Sequence, residues 1–142
     1  MKNKGFTLIE LLAVIVILAI IALIATPMVL GVIDTAREGS AKSAALGYVD
    51  AVEKTIMIDQ IAEETSYPAG TYTVTNGNLV SGTTTINVDL KGDAPDNNST
   101  VTILSSGEVT NATLTFSNIK ADYTMTYANG EVNGPQSQSS NG

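Results

Sequence analysis

The chain has no cysteine and no histidine, and it is poor in basic residues. Only 7 lysines and arginines stand against 14 aspartates and glutamates in its 142 residues. Without cysteine there is no disulfide framework, no thiolate zinc site and no cysteine nucleophile. Without histidine, the many serine and threonine hydroxyls lack the usual activating base. The net charge of −7 argues against general nucleic-acid binding, because contacts to phosphates need cations.

Catalytic and cofactor-binding patterns are also missing from the sequence. There is no glycine-rich phosphate loop, and the carboxylates show no pairing in a predicted pocket. Asp93 and Asp96 stand with two asparagines in an acidic stretch whose oxygen atoms suit calcium. The spacing is not that of an EF-hand, so a solvated turn is the preferred interpretation and a calcium site at Asp93 and Asp96 the alternative. We expect a protein that is not an enzyme and needs no cofactor.

A long apolar run dominates the amino-terminal part of the chain. It extends from Leu11 to Ala25 and follows Lys2, Lys4 and Gly5, with Glu10 as the one acid at its start. A charge at the centre of a bilayer costs about 2.5–3.5 kcal/mol on insertion scales, so an acid in such a helix indicates a function.

Two common segment types explain this run incompletely. A secretory signal would end in a small-residue cleavage site, and none follows the run. A membrane anchor fits the length, because Phe6–Ile33 would span ~42 Å as a helix at about 1.5 Å per residue. That exceeds the ~30 Å hydrocarbon core. An anchor alone does not explain Glu10 or the Gly5-Phe6 pair.

At these residues the sequence resembles type IV pilins and their relatives. The shared signature is a short basic leader ending in Gly5, then Phe6-Thr7-Leu8-Ile9-Glu10 and an unbroken apolar helix. The resemblance covers roughly the first third of the chain. It implies that a membrane prepilin peptidase cuts between Gly5 and Phe6, that Phe6 is then N-methylated, and that Glu10 acts in assembly. Pro27 also falls where the family commonly has a proline.

The amine that cleavage would create at Phe6 is a suitable partner for the Glu10 carboxylate. Removing one member of a buried ion pair costs about 3–5 kcal/mol, so a buried carboxylate needs such a cation. The two residues lie one helical turn apart, which allows a pair within one chain. The resemblance instead implies pairing between neighbouring subunits, which would set their axial register.

One long helix is expected from Phe6 to about Ala62. Pro27 lacks an amide hydrogen, which predicts a kink there, and Gly31 weakens the helix further. Two interpretations stay open: an ordinary kinked membrane helix, or a segment between about Ala19 and Gly31 that melts when subunits pack.

The second half of the chain predicts a helix packed on a sheet. Apolar residues from Ala41 to Ile56 recur every three or four positions and form a core-facing stripe. Beyond Gly70, short alternating runs separated by turn signals predict an antiparallel β-sheet, and Asn76-Gly77 predicts a hairpin. The expected fold class is α+β, as in the pilin fold that the resemblance implies.

The sequence therefore divides into five expected segments. They are a leader peptide (1–5), an apolar transmembrane or filament-core helix (6–33), an amphipathic helix of the head (34–65), an antiparallel β-sheet head (66–133) and a flexible tail (134–142).

The resemblance implies a structural subunit of a type IV pilus, polymerised from the membrane into a helical homo-oligomer that acts in adhesion, twitching motility or DNA uptake. The implied partners are the prepilin peptidase and an assembly machine with a motor ATPase. The precursor would cross the cytoplasmic membrane once, and the pilus would be extracellular. The missing cysteines indicate a Gram-positive-type major pilin. The alternatives are a pseudopilin of a type II secretion or competence machine, and a membrane-tethered binding module.

Overall fold

One long helix precedes a seven-stranded sheet in this computed structural model, which describes residues 5–121 and 123–136. The expected α+β arrangement is confirmed and is consistent with a pilin fold. In chain order the elements are α1 (Leu8–Ala62), β1 (Gly70–Thr75), β2 (Asn78–Ser81), β3 (Thr84–Ile86), β4 (Thr100–Ile103), β5 (Val109–Thr115), β6 (Thr124–Ala128) and β7 (Glu131–Gln136).

The chain forms two compact units, the first ending at Ala36 and the second beginning at Arg37. The first unit consists mainly of the apolar part of α1. Its large apolar side chains are exposed, from 39% at Ile33 to 90% at Phe6. A helix that is apolar on all sides has no core of its own to pack against. This unit therefore needs lipid or other protein to cover it.

Pro27 lies inside α1, and the helix is continuous through it. Proline has no N–H, so the carbonyl of Leu23 loses its usual donor. The hydroxyl of the preceding Thr26 donates a hydrogen bond at 2.6 Å to the carbonyl of Ala22, the residue before Leu23. Melting of this segment on subunit packing stays a prediction.

The second unit has its core between the head half of α1 and one face of the sheet. The predicted stripe from Ala41 to Ile56 is confirmed, because its apolar members are all buried. Tyr48 fixes the helix to the first hairpin by donating a hydrogen bond to the carbonyl of Gly77 at 2.9 Å. Glu53 accepts one from the backbone N–H of Val109 at 3.0 Å.

All neighbouring strands are antiparallel, in the spatial order β3-β2-β1-β4-β5-β6-β7. Two hairpins turn at asparagine-glycine pairs. Asn76 and Gly77 have φ values of 51° and 82°, and Asn129 and Gly130 have 54° and 82°. Positive φ at both central residues is typical of the type I′ turn that suits strand twist, which is why Asn-Gly is preferred there. The predicted hairpin at Asn76-Gly77 is confirmed.

The sheet differs from the expected one at two places. The alternation from Ile86 to Leu90 predicts a strand, yet β3 ends at Ile86. The side chain of Asn78 accepts a hydrogen bond from the N–H of Val88 at 3.1 Å. This side chain takes the place of the backbone carbonyl that a neighbouring strand would supply.

At the other edge, β7 includes Gly134–Gln136, which the sequence assigned to the tail. Thr124 pairs with Gln136 after a register shift that accommodates this end of the strand. The rest of the expected tail (137–142) and most of the expected leader (1–4) lie outside the described residues.

Candidate functional site

Thr7 and Glu10 form a reciprocal pair of hydrogen bonds at the start of α1. The backbone N–H of Thr7 donates to Oε2 of Glu10 at 3.1 Å, and the N–H of Glu10 donates to the hydroxyl of Thr7 at 3.2 Å. This is a capping box, in which two backbone donors without helical partners are satisfied at once. The negative carboxylate also lies in the first helical turn, where the helix dipole favours an anion. Thr7 therefore sets the point at which the helix begins.

Gly5 and Phe6 precede the capping box and lie outside the helix, which begins at Leu8. Both are exposed, and the Phe6 side chain is 90% exposed. A Cβ built on Gly5 would meet no other atom within 4 Å. Among the residues that the structure describes, the bond between Gly5 and Phe6 is thus held in no helical hydrogen bond, and no side chain other than those of its chain neighbours comes within 4 Å of a Cβ at Gly5. It is open to a second protein that approaches this end of the chain.

In the structure, Glu10 is hydrogen-bonded to Thr7, and Phe6 lies just outside the first helical turn. An amine at Phe6 would exist only after cleavage, so the expected pairing between Phe6 and Glu10 stays a prediction. Sequence reasoning missed Thr7. The signal was present as the T-x-x-E spacing that marks a helix start, here Thr7 to Glu10.

α1 is long and apolar enough to cross a membrane, judged by its length and composition. Pro27 and Gly31 lie within its exposed apolar half, as the sequence predicts. A shallow groove on the helix surface is lined by Met28, Gly31, Val32, Thr35 and Ala36. Gly31 and Ala36 contribute no large side chain to this groove.

Asp93 and Asp96, the alternative calcium ligands, have different surroundings. Oδ2 of Asp96 accepts a hydrogen bond from the N–H of Ser117 at 3.2 Å, and the N–H of Asp96 donates to the carbonyl of Thr115 at 2.7 Å. Asp96 thereby ties the loop to the end of β5. Within residues 5–121 and 123–136 no three acidic side chains lie together as metal ligands could. The choice between a solvated turn and a calcium site stays a prediction.

Asp93 instead borders a cleft of about 350 Å³ between the head half of α1 and residues 89–93. The cleft is lined by residues of both charges. The acidic ones are Asp50, Asp89 and Asp93, and the basic ones are Lys54 and Lys91. With opposite charges so close together, it has no strong preference for an anion or a cation. The arrangement points to a solvated surface groove.

Comparison with known proteins bears on the amino-terminal segment alone. Residues 1–26 match the family model described as the prokaryotic N-terminal methylation motif. No curated protein and no solved structure matches the chain. The matched residues include Gly5, Phe6, Thr7 and Glu10, the segment whose geometry is described above. The match confirms the resemblance to type IV pilin-like prepilins.

Proposed function

We propose that this chain is a structural subunit of a type IV pilus. A prepilin peptidase would cut after Gly5, and the subunit would then polymerise from the membrane into a surface filament. The observation that carries the proposal is the exposed apolar half of α1, most of which lies within the matched residues 1–26. Such a surface is covered first by lipid and then by the same helix of other copies.

The open Gly5–Phe6 bond supports processing at this position. A peptidase must bind the chain in an extended form, and the capping box at Thr7 keeps the bond out of the helix. Cleavage removes Lys2 and Lys4 and leaves 5 basic and 14 acidic side chains. It also creates a cationic amine at Phe6, next to Glu10, which supports pairing with Glu10 in the assembled state.

The presence of Glu10 supports a major subunit, which makes up most of the filament, because in pilin-like families some minor subunits lack this acid. The missing cysteines favour a Gram-positive-type major pilin. A pseudopilin of a secretion or competence machine would share the amino-terminal chemistry and differ in filament length. A membrane-tethered module would keep its leader.

Electron microscopy of cells labelled with an antibody to the head separates these candidates. We expect labelled filaments that extend beyond the cell envelope. Label confined to short assemblies within the envelope would favour the pseudopilin. Label spread evenly over the membrane, with an uncut chain, would favour the tethered module.

A further inference from the structure

The sheet face turned away from α1 consists largely of threonine side chains in register. In four adjacent strands, alternate residues point away from the core while Tyr72, Val101, Leu114 and Met125 point into it. Cross-strand pairs link Thr73 to Thr100, Thr100 to Thr113 and Thr113 to Thr126. We name this surface the threonine face; it comprises Thr71, Thr73, Thr75, Thr100, Thr102, Thr113, Thr115 and Thr126.

The threonine face carries no charge in a strongly acidic chain. Strands β1 to β6 contain no charged residue at all, and β7 adds only Glu131 at one edge. Aspartates and glutamates elsewhere give the whole chain its charge of −7. Removal of Lys2 and Lys4 with the leader makes the subunit more acidic still. Two copies therefore repel each other over most of their surfaces, but not over this one.

The same face is chemically complementary to itself. A threonine hydroxyl is both donor and acceptor, and two pairs within the sheet already use this. The hydroxyls of Thr71 and Thr102 are 2.9 Å apart, and those of Thr115 and Thr124 are 3.0 Å apart. Thr113 is exposed and Thr73 and Thr100 are half-buried, and the hydroxyls of these three residues make no hydrogen bond to another described residue. They are free to pair with the hydroxyls of a second copy.

We propose that the threonine face is a contact surface between subunits of neighbouring filaments, so that filaments associate side by side. The inference rests on the proposed function, since it needs filaments. The occupant is a second copy of this chain, held by hydroxyl pairs and by the threonine methyl groups. Twisted sheets pack face to face at about 30° to each other with interdigitated side chains, a geometry that β-branched residues suit.

The size of the face explains why the contact would belong to filaments and not to single subunits. Four strands of about five residues, ~4.8 Å apart with a rise of ~3.3 Å per residue, cover roughly 300 Å². A stable interface of standard size buries about 800 Å² per partner. One pair of heads would dissociate readily, whereas a filament repeats the contact many times and gains avidity.

The decisive experiment compares filaments of the full-length protein and of variants by electron microscopy. At physiological ionic strength we expect wild-type filaments to lie side by side in bundles. Thr113→Asp, at the centre of the face, should give single filaments, because it places like charges opposite each other. Thr83→Asp is the matched control, since Thr83 is exposed in the turn between β2 and β3 and away from the face. It should form bundles like the wild type.

A charge-swap mixture tests that the face meets a copy of itself. Thr113→Asp filaments and Thr113→Lys filaments should each be single, and mixing the two should restore bundles. Normal filament yield shows that both variants fold and assemble.

Several results would overturn the inference. Single wild-type filaments at every ionic strength, bundles unaffected by Thr113→Asp, or a mixture that stays dispersed would each do so. Absence of any filament would contradict the proposed function and remove the inference with it, whereas single filaments contradict the inference alone.

Discussion

At the scale of single residues, Glu10 has two separable properties. Its carboxylate caps the start of α1 through Thr7, and its charge is available for an amine at Phe6. The first property belongs to the uncut chain, and the second would arise only on cleavage. A glutamate that caps its own helix already accepts a hydrogen bond before assembly. This hydrogen bond lowers the free-energy cost of keeping the carboxylate in the membrane.

Glu10→Gln separates the two properties, because glutamine also completes a capping box but carries no charge. We expect normal membrane insertion and leader cleavage, with filament yield reduced by about tenfold or more, since a buried ion pair loses one member. The measurement is the amount of protein sheared from the cell surface, compared with the amount in the membrane.

The matched control is Thr7→Ala, which breaks the capping box and keeps the carboxylate. Loss of such a cap costs about 0.5–2 kcal/mol at the helix start, and filaments should still form. Full yield from Glu10→Gln together with loss of filaments in Thr7→Ala would show that Glu10 acts as a cap only.

At the scale of secondary-structure elements, α1 has two different surfaces along its length. In the head, Ile56 is fully buried against the sheet, whereas Ile61 is 78% exposed one and a half turns further on. Gly107 lies so close to Ile56 that a Cβ there would be 2.5 Å from its Cγ2. The contact leaves no space for a larger residue at position 107 and shows how tightly the helix end is packed.

Ile56→Ala should destabilise the head by about 2–5 kcal/mol, because it removes buried methyl groups and leaves a cavity. Ile61→Ala is the matched control and should change the free energy of unfolding by no more than about 0.5 kcal/mol. Chemical denaturation of the full-length protein in detergent, followed by tyrosine fluorescence, measures both. Equal effects of the two substitutions would contradict the assigned core face.

The loop after α1 is tied back to the helix by Tyr67, whose hydroxyl donates to Oδ2 of Asp59 at 2.7 Å. Burial and this hydrogen bond raise the pKa of Tyr67 to about 12, from an ordinary value of 10.0. The folded state therefore keeps a proton that the unfolded state loses. The resulting stability is fully present below pH 10 and is lost as the pH rises from 10 to about 12.

Tyr67→Phe should reduce the fall in melting temperature between pH 10 and 12. Part of the fall should remain, because burial also raises the pKa of Tyr48 and Tyr72. Asp59→Asn should have a smaller effect of the same sign, since the amide still accepts the hydrogen bond but lacks the charge. Identical slopes in the wild type and Tyr67→Phe would disprove a contribution from this pair.

Much of the element order was predictable from the sequence, and the exceptions have physical causes. Periods of three to four and of two residues distinguish α1 from the strands, and the Asn-Gly pair of β1 and β2 predicted its hairpin. The end of β3 was not predictable, because it depends on the Asn78 side chain taking the place of a backbone partner. The extension of β7 past Gly134 depends on pairing with Thr124, which local sequence does not specify.

The candidate site was predictable as a set of residues but not as an arrangement. Gly5, Phe6 and Glu10 stand out by residue type and spacing in the sequence. The capping role of Thr7 and the position of Phe6 outside the helix required the structure, because a helix can begin at any of several residues near its first capping signal.

At the scale of the whole molecule, the two units have opposite properties. The unit ending at Ala36 exposes nearly all of its apolar side chains, whereas the unit beginning at Arg37 buries most of its own in a core and leaves a few, such as Met57 and Ile61, exposed. The second unit has what it needs to fold, whereas the first needs a membrane or other copies of itself. A chain built in this way suits storage in a membrane followed by polymerisation, and the match of residues 1–26 to the prokaryotic N-terminal methylation motif agrees with that use.

The most direct test of this account is the intact mass of the protein in filaments sheared from the cell surface. We expect a chain that begins at Phe6, without residues 1–5 and with one added methyl group. A surface-exposed chain that still begins at Met1, or the absence of the protein from sheared filaments while it remains uncut in the membrane, would contradict it.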